Sequence, residues 1–306
     1  MPSVFSLGLG TILRFRGKDR CRVFNNLCTQ DLRNLENGNA AETFVTDLKG
    51  RTFGHGIAFA IADDAYFISV PDQATRLVPH FDRYIIREDA QVTDESGNYS
   101  FWLFEDRKIT SQVFGIQIEA VPELKSAKSI AFEGRSLMLV HAPWIGTESM
   151  VALVPTGDYE NPFKKSDVEK SIDSDMSHRE AWELARIKAF WPWYGVDMDE
   201  RNLPQELNRN DHAISFNKGC YLGQETIARL DALGQVQKKL VRLRIATNQI
   251  PEPKTPIFAD GKEIGSIVSG ALDHSESICI AMAFVKRSHF KANQEVEVRG
   301  DSALVL

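Results

Sequence analysis

From Lys239 onward the texture changes to short apolar stretches broken by prolines and glycines. Pro251, Pro253, Pro256, Gly261, Gly265 and Gly270 fall between short apolar runs. That spacing is the signature of a small all-β unit. The residues before it mix helical and strand periods, which predicts a boundary near residue 236, with one unit over 1–235 and a second over 236–306. A chain of 306 residues is too long for one small core, and two or three compact units fit it better.

Within the first unit, the segment from Val4 to Phe15 alternates loosely as a strand or hairpin. Asp19 stands where it caps a helix whose apolar residues Val23, Phe24 and Leu27 share a face with Cys21 and Cys28. Residues 43–46, 52–62 and 65–70 read as successive strands, turning at Lys49-Gly50 and Asp63-Asp64. A helix opening at Asp72 carries Leu77, Phe81, Tyr84 and Ile85, with Pro79 inside it, and a strand-rich stretch occupies 100–155. Residues 164–177 read as a polar surface helix and connection. Ser177 and Glu180 form a capping box for a helix bearing Trp182, Leu184 and Ile187. Residues 191–213 form a long irregular segment, 213–216 a short strand, and a last helix runs from Gly223 toward Gly234.

Charge and cysteine usage exclude several functions. A net charge of −6 and a pI near 5.7 do not suit a protein that holds nucleic acid by general phosphate attraction. An RNA-binding module using Lys238, Lys239, Arg242 and Arg244 is the weaker reading of that cluster, because alternation along a strand spreads its charges over both faces. The apolar run at 57–61 is far too short to span a membrane, and the N-terminus lacks the basic flank of a signal peptide, so a cytoplasmic location is expected. Cys21, Cys28, Cys220 and Cys279 include no C-x-x-C pair, and His55, His141, His178 and His212 show no ligand spacing, so no metal site is expected.

The chemistry concentrates in Lys218-Gly219-Cys220-Tyr221-Leu222-Gly223-Gln224-Glu225. Gly219 and Gly223 let the backbone turn and approach a ligand closely. A cysteine beside Lys218 and just ahead of a helix start is expected to favour its thiolate. Glu225 falls in the first helical turn, and Arg229 lies four residues on, at pairing distance along the helix. The alternative is a buried Cys220 with glycines that merely turn the chain.

The run from Ile214 to Arg229 resembles the signature of the YgfZ family, K-G-C-[YF]-x-G-Q-E-x-x-[AS]-R, without a gap. These are folate-binding-type proteins related to the T-protein, the aminomethyltransferase of the glycine cleavage system, and their mitochondrial relatives assist maturation of iron–sulfur proteins. The similarity continues through Gly17-Lys18-Asp19, Lys49-Gly50-Arg51, Tyr194-Gly195-Val196-Asp197 and Leu203-Pro204-Gln205-Glu206. It implies an α+β fold, a ring of three subdomains ending in a small β-barrel. It further implies a tetrahydrofolate-type ligand, iron–sulfur assembly proteins or client enzymes as partners, and tRNA modification as a downstream process. Cys220, Lys218, Glu225 and Arg229 become the working residues. Trp182, Lys188, Tyr194, Gly219, Tyr221, Gly223 and Gln224 become candidates for the ligand.

Two departures bear on activity. The acidic pair of true aminomethyltransferases falls on Gly54-His55, which leaves no carboxylate to assist the folate nitrogen. Where the superfamily has a glutamate for the pterin ring, this chain has Lys188, which can only donate, so folate binding is expected to be weak. The leading expectation is an accessory protein working through Cys220. The alternative is a folate-dependent aminomethyl- or methyltransferase.

Overall fold

The structure is a computed structural model describing residues 4–156, 176–234 and 236–306, with backbone alone at 176–178 and 233. In chain order come β1 (Val4–Gly8), β2 (Thr11–Arg16), α1 (Arg20–Asn26), β3 (Ala40–Thr46), β4 (Thr52–Ile61), β5 (Asp64–Ser69), α2 (Ala74–Asp82) and β6 (Gln91–Asp94). Next are β7 (Tyr99–Phe104), α3 (Arg107–Phe114), β8 (Ala127–Phe132), β9 (Arg135–His141), β10 (Met150–Pro155) and α4 (Met176–Lys188). The chain then forms α5 (Asn210–Ala213), α6 (Gln224–Leu233) and the strands β11 (Lys238–Ile245), β12 (Pro256–Ala259), β13 (Lys262–Asp273), β14 (Ile278–Lys286), β15 (Glu295–Val298) and β16 (Asp301–Val305).

These strands make two five-stranded sheets, ordered β3-β4-β5-β2-β6 and β1-β7-β10-β9-β8, and a closed barrel, β11-β14-β13-β12-β15-β16. Closure removes the barrel's free edges, and its interior is aliphatic, with Leu243, Ile257, Ile267 and Val298 fully buried. The two open sheets pack face to face. Ile12, Ile57, Phe59 and Ile68 of one meet Phe101, Leu103, Val140 and Leu153 of the other. Strand alternation then sends Leu13, Phe15 and Phe67 to the opposite face, where Phe24 of α1 and Phe81 of α2 cover them. Among the described residues no helix is long and apolar enough to cross a membrane.

Several local expectations change. β1 and β2 are not a hairpin: β1 pairs with β7, whereas β2 pairs with β5 and β6, so the opening strands feed different sheets. Asp19 occupies the N-cap of α1 but caps nothing with its side chain, which accepts the Asp89 N–H at 2.9 Å. Helix α3 interrupts the strand-rich stretch, and its real signal is Asp106, whose carboxylate accepts the Ile109 N–H at 2.7 Å. Residues 213–216 are not a strand: Ala213 closes α5 and its carbonyl accepts from the Thr29 hydroxyl at 2.5 Å, and Ser215 N–H reaches Thr29 O at 2.9 Å. The expected polar helix over 164–177 and the Ser177 cap lie outside the described residues and side chains.

Helix α4 is fixed to the segment after it and to the barrel by a buried charge network. Arg186, fully buried, donates to Asp197, to Trp191 O at 2.9 Å and to Glu183 at 2.6 Å. Asp197 also accepts from Trp193 N–H at 2.7 Å and from the Ser269 hydroxyl on β13. Removing one partner strands the other charge in a dry interior, at a cost of about 3–5 kcal/mol. Asp197→Ala is therefore expected to lower the urea midpoint by that much stability, and an unchanged midpoint would contradict the network's role.

Candidate functional site

Residues 214–223 run from α5 across the C-terminal end of α1 to α6. A seven-residue helix such as α1 leaves carbonyls without intrahelical donors. Lys218 supplies one of them and two carbonyls of the segment that follows: its Nζ donates to Asn25 O of α1 at 2.7 Å and, beyond the helix end, to Cys28 O at 2.8 Å and Gln30 O at 2.7 Å. It also stands 4.8 Å from the centre of the Tyr221 ring. Burial pushes its pKa down. The expectation that Lys218 serves the thiol is thus corrected. Its three protons are committed to main-chain oxygens on the buried side of the loop, whereas Cys220 is exposed.

Gly223, at φ +76°, lies against the β3–β4 turn, and a Cβ there would come within 2.4 Å of Asp47 O and of Gly50 N and Cα. Gly50, at φ +71°, is equally constrained, since its Cβ would sit 2.6 Å from Gly223 O. The two glycines therefore allow two backbones to touch. Close approach at Gly223 is to the protein's own turn, and Gly219 faces open space. Thr46 Oγ1 donates to Leu222 O at 2.7 Å, and Leu222 N–H donates to Asn26 O at 2.8 Å, completing the attachment.

So anchored, the loop presents Cys220 at a recess of about 300 Å³ shared with Val23, Asn26, Leu27, Tyr84 and Glu88. Helix α6 starts only at Gln224, and the charged side chain sharing the recess is the acidic Glu88. Neither of the two expected activators of the thiol is therefore beside it. The other cysteines are inward. Cys21 is half-buried, Cys28 donates to Phe24 O at 3.0 Å, and burial raises both pKa values. Cys279, in the barrel core, is pushed up to about 11 by burial. Gln224 accepts the Tyr221 N–H at 3.3 Å, and Tyr221 is buried, with its hydroxyl pKa raised by that burial. Glu225 and Arg229 are exposed on α6, and no ion pair within 4.0 Å joins them.

The three candidates upstream are not gathered at this recess. Trp182 is buried against Phe5 and Trp193, with ring centres 6.1 and 5.4 Å away. Tyr194 is buried beneath Arg76, whose guanidinium carbon is 4.1 Å from the ring centre, and it shares an apolar cluster with Tyr221. Lys188 turns to the barrel and pairs with Asp273, whose side chain is 1% exposed. That pairing, with a Ser275 hydrogen bond, holds Asp273 at about 2. Lys188 is therefore no wrongly charged donor waiting opposite a pterin, and the expectation of weak binding for that reason is withdrawn. Of the barrel cations, Arg242 also turns inward, donating to Lys188 O.

A flat ligand finds some fitting groups nearby. Trp144 is buried among Trp191 and Trp193, and its indole N–H has no partner among the described residues. An orphaned buried donor beside aromatic faces suits a heterocycle carrying an acceptor.

Sequence reasoning missed one cluster altogether. Glu42 on β3 and His55 on β4 are joined at 2.9 Å, and Arg209 grips the same carboxylate, its Nε 2.6 Å from Oε1. Phe44 and Trp191 stack on the two faces of His55, 4.6 and 4.4 Å between centres. Burial works against ionising Glu42, but Arg209 and His55 outweigh it and hold its pKa at about 2. Burial lowers the pKa of His55 against the pull of Glu42. A lone Glu in the strand Ala40-Ala41-Glu42-Thr43-Phe44-Val45-Thr46 was the available signal, since a charge flanked by apolar strand residues implies a partner. His141 is likewise a satisfied core histidine, and His212 is exposed. Among the described residues no group of three ligating side chains could hold a metal.

Two facing sheets and a closed barrel define an α+β protein of the glycine cleavage T-protein fold. Residues 238–304 match the family model described as the glycine cleavage T-protein C-terminal barrel domain. The whole chain is similar in fold to glycine cleavage system aminomethyltransferase T from Bartonella henselae, with a TM-score of 0.78 at 16% identity, covering 99% of this chain and 84% of that one. An aminomethyltransferase of Listeria monocytogenes is 21% identical over 296 residues, 95% of this chain and 80% of that protein. A chloroplastic Arabidopsis thaliana protein, provisionally named a transferase, is 24% identical over 297 residues, and the match spans 94% of this chain but 66% of that protein.

Brief limiting alkylation of the folded protein is expected to label Cys220 before the other three cysteines, as read by mass spectrometry, and prior labelling of Cys21 would contradict the exposure argument. Lys188→Glu is expected to cost about 1–2 kcal/mol, less than a fully buried pair because the lysine is 40% exposed. Thermal melting checks this, and Asp273→Asn in the same chain should recover most of the loss. Since folding depresses the Asp273 pKa, the pair's contribution is present above pH about 4 and lost as pH falls from there toward 2.

Proposed function

We propose that this chain is a folate-type protein of the T-protein fold that supports iron–sulfur protein maturation, and through it tRNA modification, with Cys220 as its working residue. The observation that carries the reading is the exposure of that thiol on a loop fixed by Lys218 and by the Gly223–Gly50 contact, while the other three cysteines face inward. The resemblance of the loop to the YgfZ signature supplies the process. One cysteine cannot hold a cluster alone, so it would act with a partner's ligands or by thiol chemistry.

A second reading, a folate-dependent aminomethyl- or methyltransferase, is favoured by the comparisons: the Bartonella and Listeria proteins are both named aminomethyltransferases. Against it stands Gly54-His55 where the acidic pair is expected, with His55 buried and tied to Glu42. In either case a tetrahydrofolate would supply a nitrogen that carries or accepts a one-carbon unit, and the Trp144 indole N–H with the faces of Trp193 and Trp182 would orient its ring.

The two readings part in a pair of measurements. With the remaining glycine-cleavage components, the purified protein is expected to show no turnover of glycine, and robust turnover would establish the transferase. In a deletion strain, Cys220→Ala is expected to melt like the wild type yet leave aconitase-type activity low, because trimming one exposed side chain removes little buried area. Full complementation by the alanine variant would overturn the thiol's role.

A further inference from the structure

We propose that the free edge of β3 at Ala40 and Glu42 is a binding slot for a small planar heterocycle carrying a cis-amide, a ring N–H beside a C=O. β3 is the edge strand of its sheet. Its odd-numbered residues bond inward to β4, as the Ala60 N–H to Asn39 O bond of 3.0 Å shows, so the peptide groups of Ala40, Glu42 and Phe44 point outward. Ala40 N–H is covered by Lys125 O at 2.8 Å, and Phe44 O by Thr29 N–H at 2.9 Å. Between these covers, Ala40 O and both main-chain groups of Glu42 meet no partner among the described residues. Lys125 cannot close the gap, since its own N–H is donated to His141 Nδ1 at 3.1 Å.

A cavity of about 280 Å³ opens at this gap, lined by Ala40, Glu42, Ile57, Lys125, His141 and His212 among others. Main-chain polar groups left unmade beside a cavity attract a ligand that completes them. On an extended edge, the C=O of one residue and the N–H of the second residue beyond it lie side by side on the same edge. They match a ring N–H donating to Ala40 O and a ring C=O accepting from Glu42 N–H. Bonds at both ends of the gap leave no path for a strand, which selects a small molecule over a peptide. The Glu42 side chain, gripped by Arg209 and His55, holds the edge in register. Neither Trp182, Lys188 nor Tyr194 lines this cavity, so the slot stands apart from the folate reading.

The test is hydrogen exchange at the Glu42 amide of the full-length protein, resolved by NMR, with hypoxanthine, pterin and uracil as probes at millimolar concentration. In the free protein Glu42 is expected to exchange faster than Ala41 and Thr43, and at least one probe should slow it about tenfold or more. N-methylation of that probe's lactam nitrogen should abolish the protection. His212→Trp, a rim change on an exposed residue, should block protection without moving the melting temperature. No protection of Glu42 by any of the three probes, or equal protection by the methylated probe, would overturn the slot. Tetrahydrofolate binding followed by tryptophan quenching in the same variant keeps the two ideas separate, because its survival in His212→Trp leaves the folate reading standing whatever the slot does.

Discussion

The placement of the loop at 214–223 depends on one ammonium group. One carbonyl in the last turn of a short helix and two in the segment just after it cannot be left dry, and Lys218 brings three N–H donors to them from a segment almost two hundred residues later in the chain. No neutral side chain offers three such donors from one atom. The loop is thereby laid across α1, and its far end is set by two glycines that bring one backbone against another. Cys220 lies on the exposed side of the loop, with Phe216, Asn217 and Gly219, while Lys218 and Tyr221 turn inward.

The rest of the molecule repeats the theme of charges buried in pairs at junctions. Glu42 with Arg209 ties the edge of one sheet to the segment before the loop. Arg186 with Asp197 closes α4 onto the same segment, and Lys188 with Asp273 ties α4 to the barrel. Such pairs add little net stability over apolar residues of similar shape, but each penalises any arrangement that separates its members. They fix which elements meet, while the apolar clusters supply the driving force.

The T-protein fold is shared over nearly the whole chain. Yet the residues at the expected acidic pair are a glycine and a histidine locked in a stacked, hydrogen-bonded position. An acid must reach its substrate to act on it, and His55 is held between two aromatic rings instead.

By itself, the sequence determined the all-β texture after residue 236 and the strands and turns around Lys49-Gly50 and Asp63-Asp64. Both are written in local signals: proline and glycine spacing, and alternation. Only the tertiary structure decided where the charged residues point. Lys218 sits two residues from Cys220 in sequence but serves α1. Lys188 stands where a pterin acceptor was expected but serves Asp273, 85 residues away. β1 and β2 look like one hairpin yet feed separate sheets, because a hairpin and a crossover share the same local alternation. Glu42 finds Arg209 across 167 residues. Side-chain partners are chosen by which buried group would otherwise go unsatisfied, and that choice exists only once the chain has folded.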